Sequence, residues 1–117
     1  MTLKVTQQLQ SLIPNKDNPK QVNPIVYIQI LYESQRNTVL EVIDLINGIG
    51  YQVPGIELVK RPIGLNQNEI RYFRASDKIY AETLQGILKT MNIKSTLKLM
   101  TGYASTTKEG TIEIWLK

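Results

Sequence analysis

Shifting the chain against itself by 42 residues lays one strand-turn-helix stretch over another. Ile28 falls on Ile70, Ile30 on Tyr72, Ser34 on Ser76, Leu45 on Ile87 and Ile46 on Leu88. The stretch from Tyr27 to Gln35 therefore returns as the stretch from Asn68 to Lys78. Two like strand-helix-strand units must bury like faces, so the repeat predicts one shared apolar layer beneath two helices. At 117 residues a single core suffices, because a chain of this size buries roughly 65% of the surface its unfolded form exposes.

In the first unit, Ile25 to Tyr32 is dense in β-branched and aromatic residues and reads as a strand. Side chains alternate faces along a strand, so Val26, Ile28 and Ile30 form the core face while Tyr27, Gln29 and Leu31 point the other way. Ser34 is placed to cap the following helix. Val39, Val42, Ile43 and Ile46 recur at helical spacing, and Gly48 and Gly50 end the element. Tyr51 to Val59 is extended, but Pro54 cannot donate to a ladder, which sends this strand to an edge or breaks it in two. The polar stretch Lys60 to Gln67 links the units.

The second unit repeats the pattern. Glu69 to Arg74 is a strand, Ser76 a cap, and Tyr80, Leu84, Ile87, Leu88 and Met91 a buried helical stripe. Asn92 suits the left-handed residue that closes a helix, and Thr96 to Met100 returns as a strand. A turn-rich segment from Gly102 to Gly110 implies a final hairpin into the alternating strand Thr111 to Leu116. The predicted fold is α+β: a ferredoxin-like βαββαβ sandwich with an additional C-terminal strand, both helices covering one face of a mostly antiparallel sheet. In that arrangement the first and third strands are central neighbours, Ile28 lies beside Ile70, and the last strand extends an edge.

Residues 25–117 thus form one domain, and residues 1–24 read as a tail or linker in which Leu3, Leu9, Leu12 and Ile13 can line a short helix stopped by Pro14. The chain contains neither Cys nor His, which removes disulfides, thiolate nucleophiles, the commonest general base and the commonest metal ligand. No catalytic motif or cofactor motif sits on the repeat, so the expectation is a non-enzyme without cofactor. No apolar run is long enough for a membrane span. Net charge is +4, with ten basic and five acidic residues from Lys60 onward against four and five before it.

Gly50-Tyr51-Gln52-Val53, and Glu69-Ile70-Arg71-Tyr72 leading into Ala81-Glu82-Thr83-Leu84 and Leu88, resemble the C-terminal domain of the LytR/CpsA/Psr envelope proteins, itself similar to the SPOR peptidoglycan-binding fold. The likeness spans about Val26 to Met100 and departs from the family at Glu33-Ser34-Gln35-Arg36, where the family has an Asn-Gly-rich turn. Glu33 to Arg36, Val53 to Glu57 and Arg71-Tyr72-Phe73 also resemble tail domains of varied bacterial multidomain proteins. The resemblance implies an accessory interaction module for an envelope ligand.

With helices over the Ile28 face, the opposite face is predicted to present Tyr27, Gln29, Arg71, Phe73 and Trp115, with Glu113 alongside. Such a surface stacks on sugars or unpaired bases, or is covered by another layer, either residues 1 to 23 or a second copy of the chain. The expected partner is a protein or an envelope glycan; a single-stranded nucleic acid is the alternative, although the third strand lacks the RNA-recognition consensus. Arg36, Arg74 and Lys78 flank the two helix starts, where backbone amides and nearby cations can hold an anion. Acylphosphatases share the predicted topology, but their phosphate-cradling loop has no counterpart after Ile30.

Overall fold

A computed structural model describes residues 22–60 and 64–117; the short helix read at Leu3 to Ile13 falls outside them. The elements are β1 (Ile25–Ile30), α1 (Arg36–Gly48), β2 (Ile56–Leu58), β3 (Glu69–Tyr72), α2 (Lys78–Thr90), β4 (Thr96–Leu99) and β5 (Thr111–Leu116). A single turn of 3-10 helix leads into each α-helix, at Glu33–Gln35 and Ala75–Asp77. The fold is α+β, with a five-stranded mixed sheet and two helices packed against one face, as in a ferredoxin-like sandwich.

Strand order is β2-β1-β5-β3-β4, and here the structure corrects the sequence reading in three linked ways. The first and third strands are not neighbours, because β5 lies between them, parallel to β1 and antiparallel to β3. Nor does the last strand extend an edge or form a hairpin with β4: it is the centre of the sheet. Finally, the sheet is mostly parallel, since β1 and β2, β3 and β4, and β1 and β5 all run in the same direction. The physical reason lies in the repeat unit. A helical crossover returns the chain parallel to its starting strand, and each unit pairs directly with itself, leaving one inner edge on β1 and another on β3 for β5 to satisfy.

One row of side chains records the result. Ile56, Ile28, Ile114, Ile70 and Leu97 are successive partners across all five strands. Ile28 and Ile70 share the buried face as expected, but Ile114 separates them. Val39, Val42 and Ile46 of α1 and Ala81, Leu84 and Leu88 of α2 close over this layer. Burying each of the valine, leucine and isoleucine side chains contributes about 1.5–3 kcal/mol. The Pro54 argument holds in both its forms: β2 is a three-residue edge strand, and a separate bridge joins Gln52 to Ile25. Asn92 takes the left-handed conformation at φ 61°.

Ser34 and Ser76 sit exposed in the 3-10 turns and cap neither helix. The next residues do the anchoring, and they are themselves repeat equivalents, 42 positions apart. Gln35 accepts the Leu31 and Tyr32 amides on Oε1, both at 2.9 Å, and donates from Nε2 to a main-chain oxygen of Lys117 at 2.9 Å. The buried Asp77 carboxylate accepts the Gly110 amide at 2.9 Å. Each unit therefore grips one end of β5.

Burial raises the Asp77 pKa against the opposing pull of the Gly110 amide, so the neutral acid is favoured by folding and stability from this group declines as pH rises above the ordinary carboxylate range. Asp77→Ala is expected to cost about 1–3 kcal/mol by leaving a buried amide unmet; Asp77→Asn, which keeps an acceptor without the charge, retains most of the stability in urea unfolding at neutral pH.

Tyr51 is 1% exposed, packed edge-on to Tyr80 with ring centroids 5.9 Å apart, and its hydroxyl has no hydrogen-bond partner among the described residues. Burial pushes its pKa from 10.0 to about 12, against a smaller opposing pull from the nearby Thr83 hydroxyl, which lies outside hydrogen-bonding geometry. Because the unfolded chain ionises first, stability is expected to fall between these two values. Tyr51→Phe is expected to flatten that alkaline slope and to match or exceed wild-type stability at neutral pH, by removing an unmet polar group. Denaturant titrations across that pH window check both outcomes.

Candidate functional site

The helix-free face is set by strand alternation. Tyr27 and Gln29 on β1, Glu113 and Trp115 on β5, and Glu69 and Arg71 on β3 all point away from the helices. Register places Glu113 between Tyr27 and Arg71, and Trp115 between Gln29 and Glu69. Beyond them Glu57 joins Gln29 on the β2 side and Lys98 joins Arg71 on the β4 side.

A hydrogen-bonded block occupies the centre of this face. Arg71 Nε donates to Glu69 Oε1 at 2.9 Å, and the guanidinium lies over the Trp115 ring, 4.4 Å from its centroid. Trp115 Nε1 donates in turn to Glu113 Oε1 at 3.0 Å. The Glu69–Arg71 pair is mostly buried, at 14% and 19% side-chain exposure, so the charge network is shielded from water more than an ordinary surface pair. Cation over indole contributes about 1–2 kcal/mol when partly desolvated.

Beside the block runs an open groove of about 470 Å³, lined by Tyr27, Glu57, Arg71, Phe73, Tyr103 and Glu113 among others. Phe73 meets Tyr103 edge to face, centroids 6.1 Å apart. Tyr27 is 40% and Tyr103 49% exposed, leaving two aromatic rings available to a ligand.

All five residues expected on this face are on it. Tyr27, Gln29, Arg71 and Phe73 line the groove, and Trp115 lies under Arg71. They do so for a reason the sequence reading lacked, since β5 and not direct contact of β1 with β3 joins them. Gln29 departs from expectation in being 7% exposed, enclosed between Glu57 and Trp115 on the flanking strands. Tyr103, Glu57 and Thr107 were not anticipated as lining residues. Glu57 was legible from alternation along β2, whereas Tyr103 lies in a turn whose path over the sheet no local pattern encodes.

The three cations at the helix starts do not form one site. Arg36 pairs with Glu33 through both guanidinium and carboxylate. This hydrogen bond holds the Glu33 carboxyl below its ordinary pKa. Arg74 donates to the Ala104 carbonyl, and Lys78 stands exposed at the start of α2. Two of the three are thus engaged by the fold. Among the described residues no three acidic side chains gather as a metal cluster, and no helix is long and apolar enough to cross a membrane. No family model, curated protein or solved structure matches this chain.

Trp115 is the one tryptophan and reports on the block directly. Arg71→Ala is expected to shift its fluorescence to longer wavelength and to cost about 1–2 kcal/mol. Arg71→Lys retains the charge but not the planar stack and recovers only part of either effect. Unchanged emission in Arg71→Ala would count against the arrangement.

Proposed function

We propose that this domain is a non-catalytic binding module that recognises a protein or a cell-envelope glycan through its helix-free sheet face, with the glycan the better chemical fit. The observation that carries this reading is the convergence of Tyr27, Arg71, Phe73 and Glu113 on one open groove. A saccharide presents apolar C–H faces and hydroxyl edges. Exposed aromatic rings cover the former, while the Glu57 and Glu113 carboxylates accept hydrogen bonds from the latter; a few fixed polar groups in an apolar cleft are the usual composition of a small-ligand site. The likeness of Gly50 to Val53 and Glu69 to Tyr72 to LytR/CpsA/Psr C-terminal domains supports an envelope ligand.

Charge argues against a polyanion here. Glu57, Glu69 and Glu113 share the face with Arg71 and Lys98, and Arg71 is already committed to Glu69 and Trp115. A single-stranded nucleic acid would need a groove of unpaired cations along its backbone.

Co-sedimentation with insoluble peptidoglycan, beside anisotropy titration with labelled oligothymidine, tests the proposal. Wild type is expected to sediment with the glycan at both low and high salt. The Tyr27→Ala, Phe73→Ala double variant should bind about tenfold more weakly, equivalent to ~1.4 kcal/mol. Equal capture of variant and wild type would overturn the face as the site. Binding to oligothymidine alone, falling steeply with salt, would transfer the assignment to nucleic acid.

A further inference from the structure

The sheet has two outer strands, and they are not alike. β2 has three residues and follows Pro54, whereas β4 has four and is paired only with β3. The Thr96 amide donates to the Asn68 carbonyl at 3.0 Å and the Met100 amide to the Tyr72 carbonyl at 2.8 Å. Backbone groups alternate in direction along a strand. Leu97 and Leu99 therefore turn their N–H and C=O groups outward, where no other strand among the described residues pairs with them.

At the head of this edge a groove of about 840 Å³ runs between α2 and the turn into β4, lined by Gln85, Gly86, Lys89, Ile93 and Lys94 among others. Gln85 Nε2 donates to the Ser95 carbonyl at 2.9 Å and fixes the helix against the strand entrance. At Gly86 a Cβ would meet no atom within 4 Å, so the helix surface there is open. Lys89 and Lys94 border the groove, Lys98 projects from β4 on the sheet's other face, and Glu82 is the groove's one acidic residue.

We propose that the β4 edge and this groove form a second binding surface, which takes an extended acidic peptide segment of a partner protein as a sixth strand. Main-chain hydrogen bonds to Leu97 and Leu99 supply affinity, and alternate side chains supply selectivity. Apolar side chains of the added strand fall on the helix side, beside Leu97, Leu99 and the groove. Its acidic side chains fall on the side of Lys98. A second copy of this chain is the poorer occupant, because an antiparallel pair of β4 strands puts Lys98 of both copies on the same face of the added seam.

The probe is a fluorescein-labelled heptapeptide alternating glutamate with valine, followed by anisotropy, with a lysine-valine peptide as its counterpart. Wild type is expected to bind the acidic peptide saturably and at least about tenfold more tightly than the basic one. Leu99→Pro deletes an outward amide while leaving the pairing with β3 in place, and should weaken the acidic peptide by at least about tenfold with an unchanged far-ultraviolet spectrum. Lys98→Glu, which needs no change of backbone, should reverse the preference between peptides and decides the matter if Leu99→Pro does not fold. The Tyr27→Ala, Phe73→Ala variant should bind as wild type, separating this surface from the sheet-face groove. Absence of saturable binding, equal affinity for both peptides, or a peptide affinity unchanged in both Leu99→Pro and Lys98→Glu would overturn the proposal. So would a concentration-dependent dimer abolished by Leu99→Pro, which would place a second copy on the edge.

Discussion

Two parallel strand pairs, each roofed by its own helix, do not meet each other in the sheet, and β5 is what joins them. Each unit leaves an inner edge of backbone donors and acceptors, and buried groups of that kind must be paired. β5 pairs along its full length with β1 on one side and over four residues with β3 on the other. Its inward residues Ile112, Ile114 and Leu116 fill the seam between the helices. The strand is held at both ends by repeat-equivalent side chains, Asp77 at Gly110 and Gln35 at Lys117. Duplication thus supplies not only two similar halves but a matched pair of clamps for the element that unites them.

The same strand makes the open face what it is. Without β5, Tyr27 and Arg71 would stand side by side as an aromatic and basic surface. With it, Glu113 and Trp115 enter between them, tie Arg71 down and bring carboxylates into the groove. That is a surface for hydrogen-bonding and stacking on an uncharged ligand more than for a phosphate backbone. Packing order, through register, sets the electrostatics of the candidate site.

Much of this was legible in the sequence. The apolar periodicity of Val39, Val42 and Ile46, the alternation of Val26, Ile28 and Ile30, the ladder-breaking Pro54 and the left-handed Asn92 each express a local rule that the fold obeys. So does the assignment of Tyr27, Arg71, Phe73 and Trp115 to one face, because alternation fixes the side of a strand whatever its neighbours. What alternation does not encode is which strand lies next to which. Thr111 to Leu116 reads equally well at an edge or at the centre, and its placement depends on edges left open more than 30 residues away in the chain. Ser34 and Ser76 failed as caps for a related reason: the helix rule considers only the nearest amides, while Gln35 and Asp77 reach partners at the ends of β5. Gln29 is an exposed-looking polar residue made buried by Glu57 and Trp115, which arrive from two other strands.

Backbone proton–proton contacts in solution test the central placement most directly. If β5 bridges the halves, the backbone of Ile114 gives cross-peaks both to β1 around Ile28 and to β3 around Ile70, with none between the β1 and β3 backbones. Direct cross-peaks joining the backbones of Ile28 and Ile70 would contradict it.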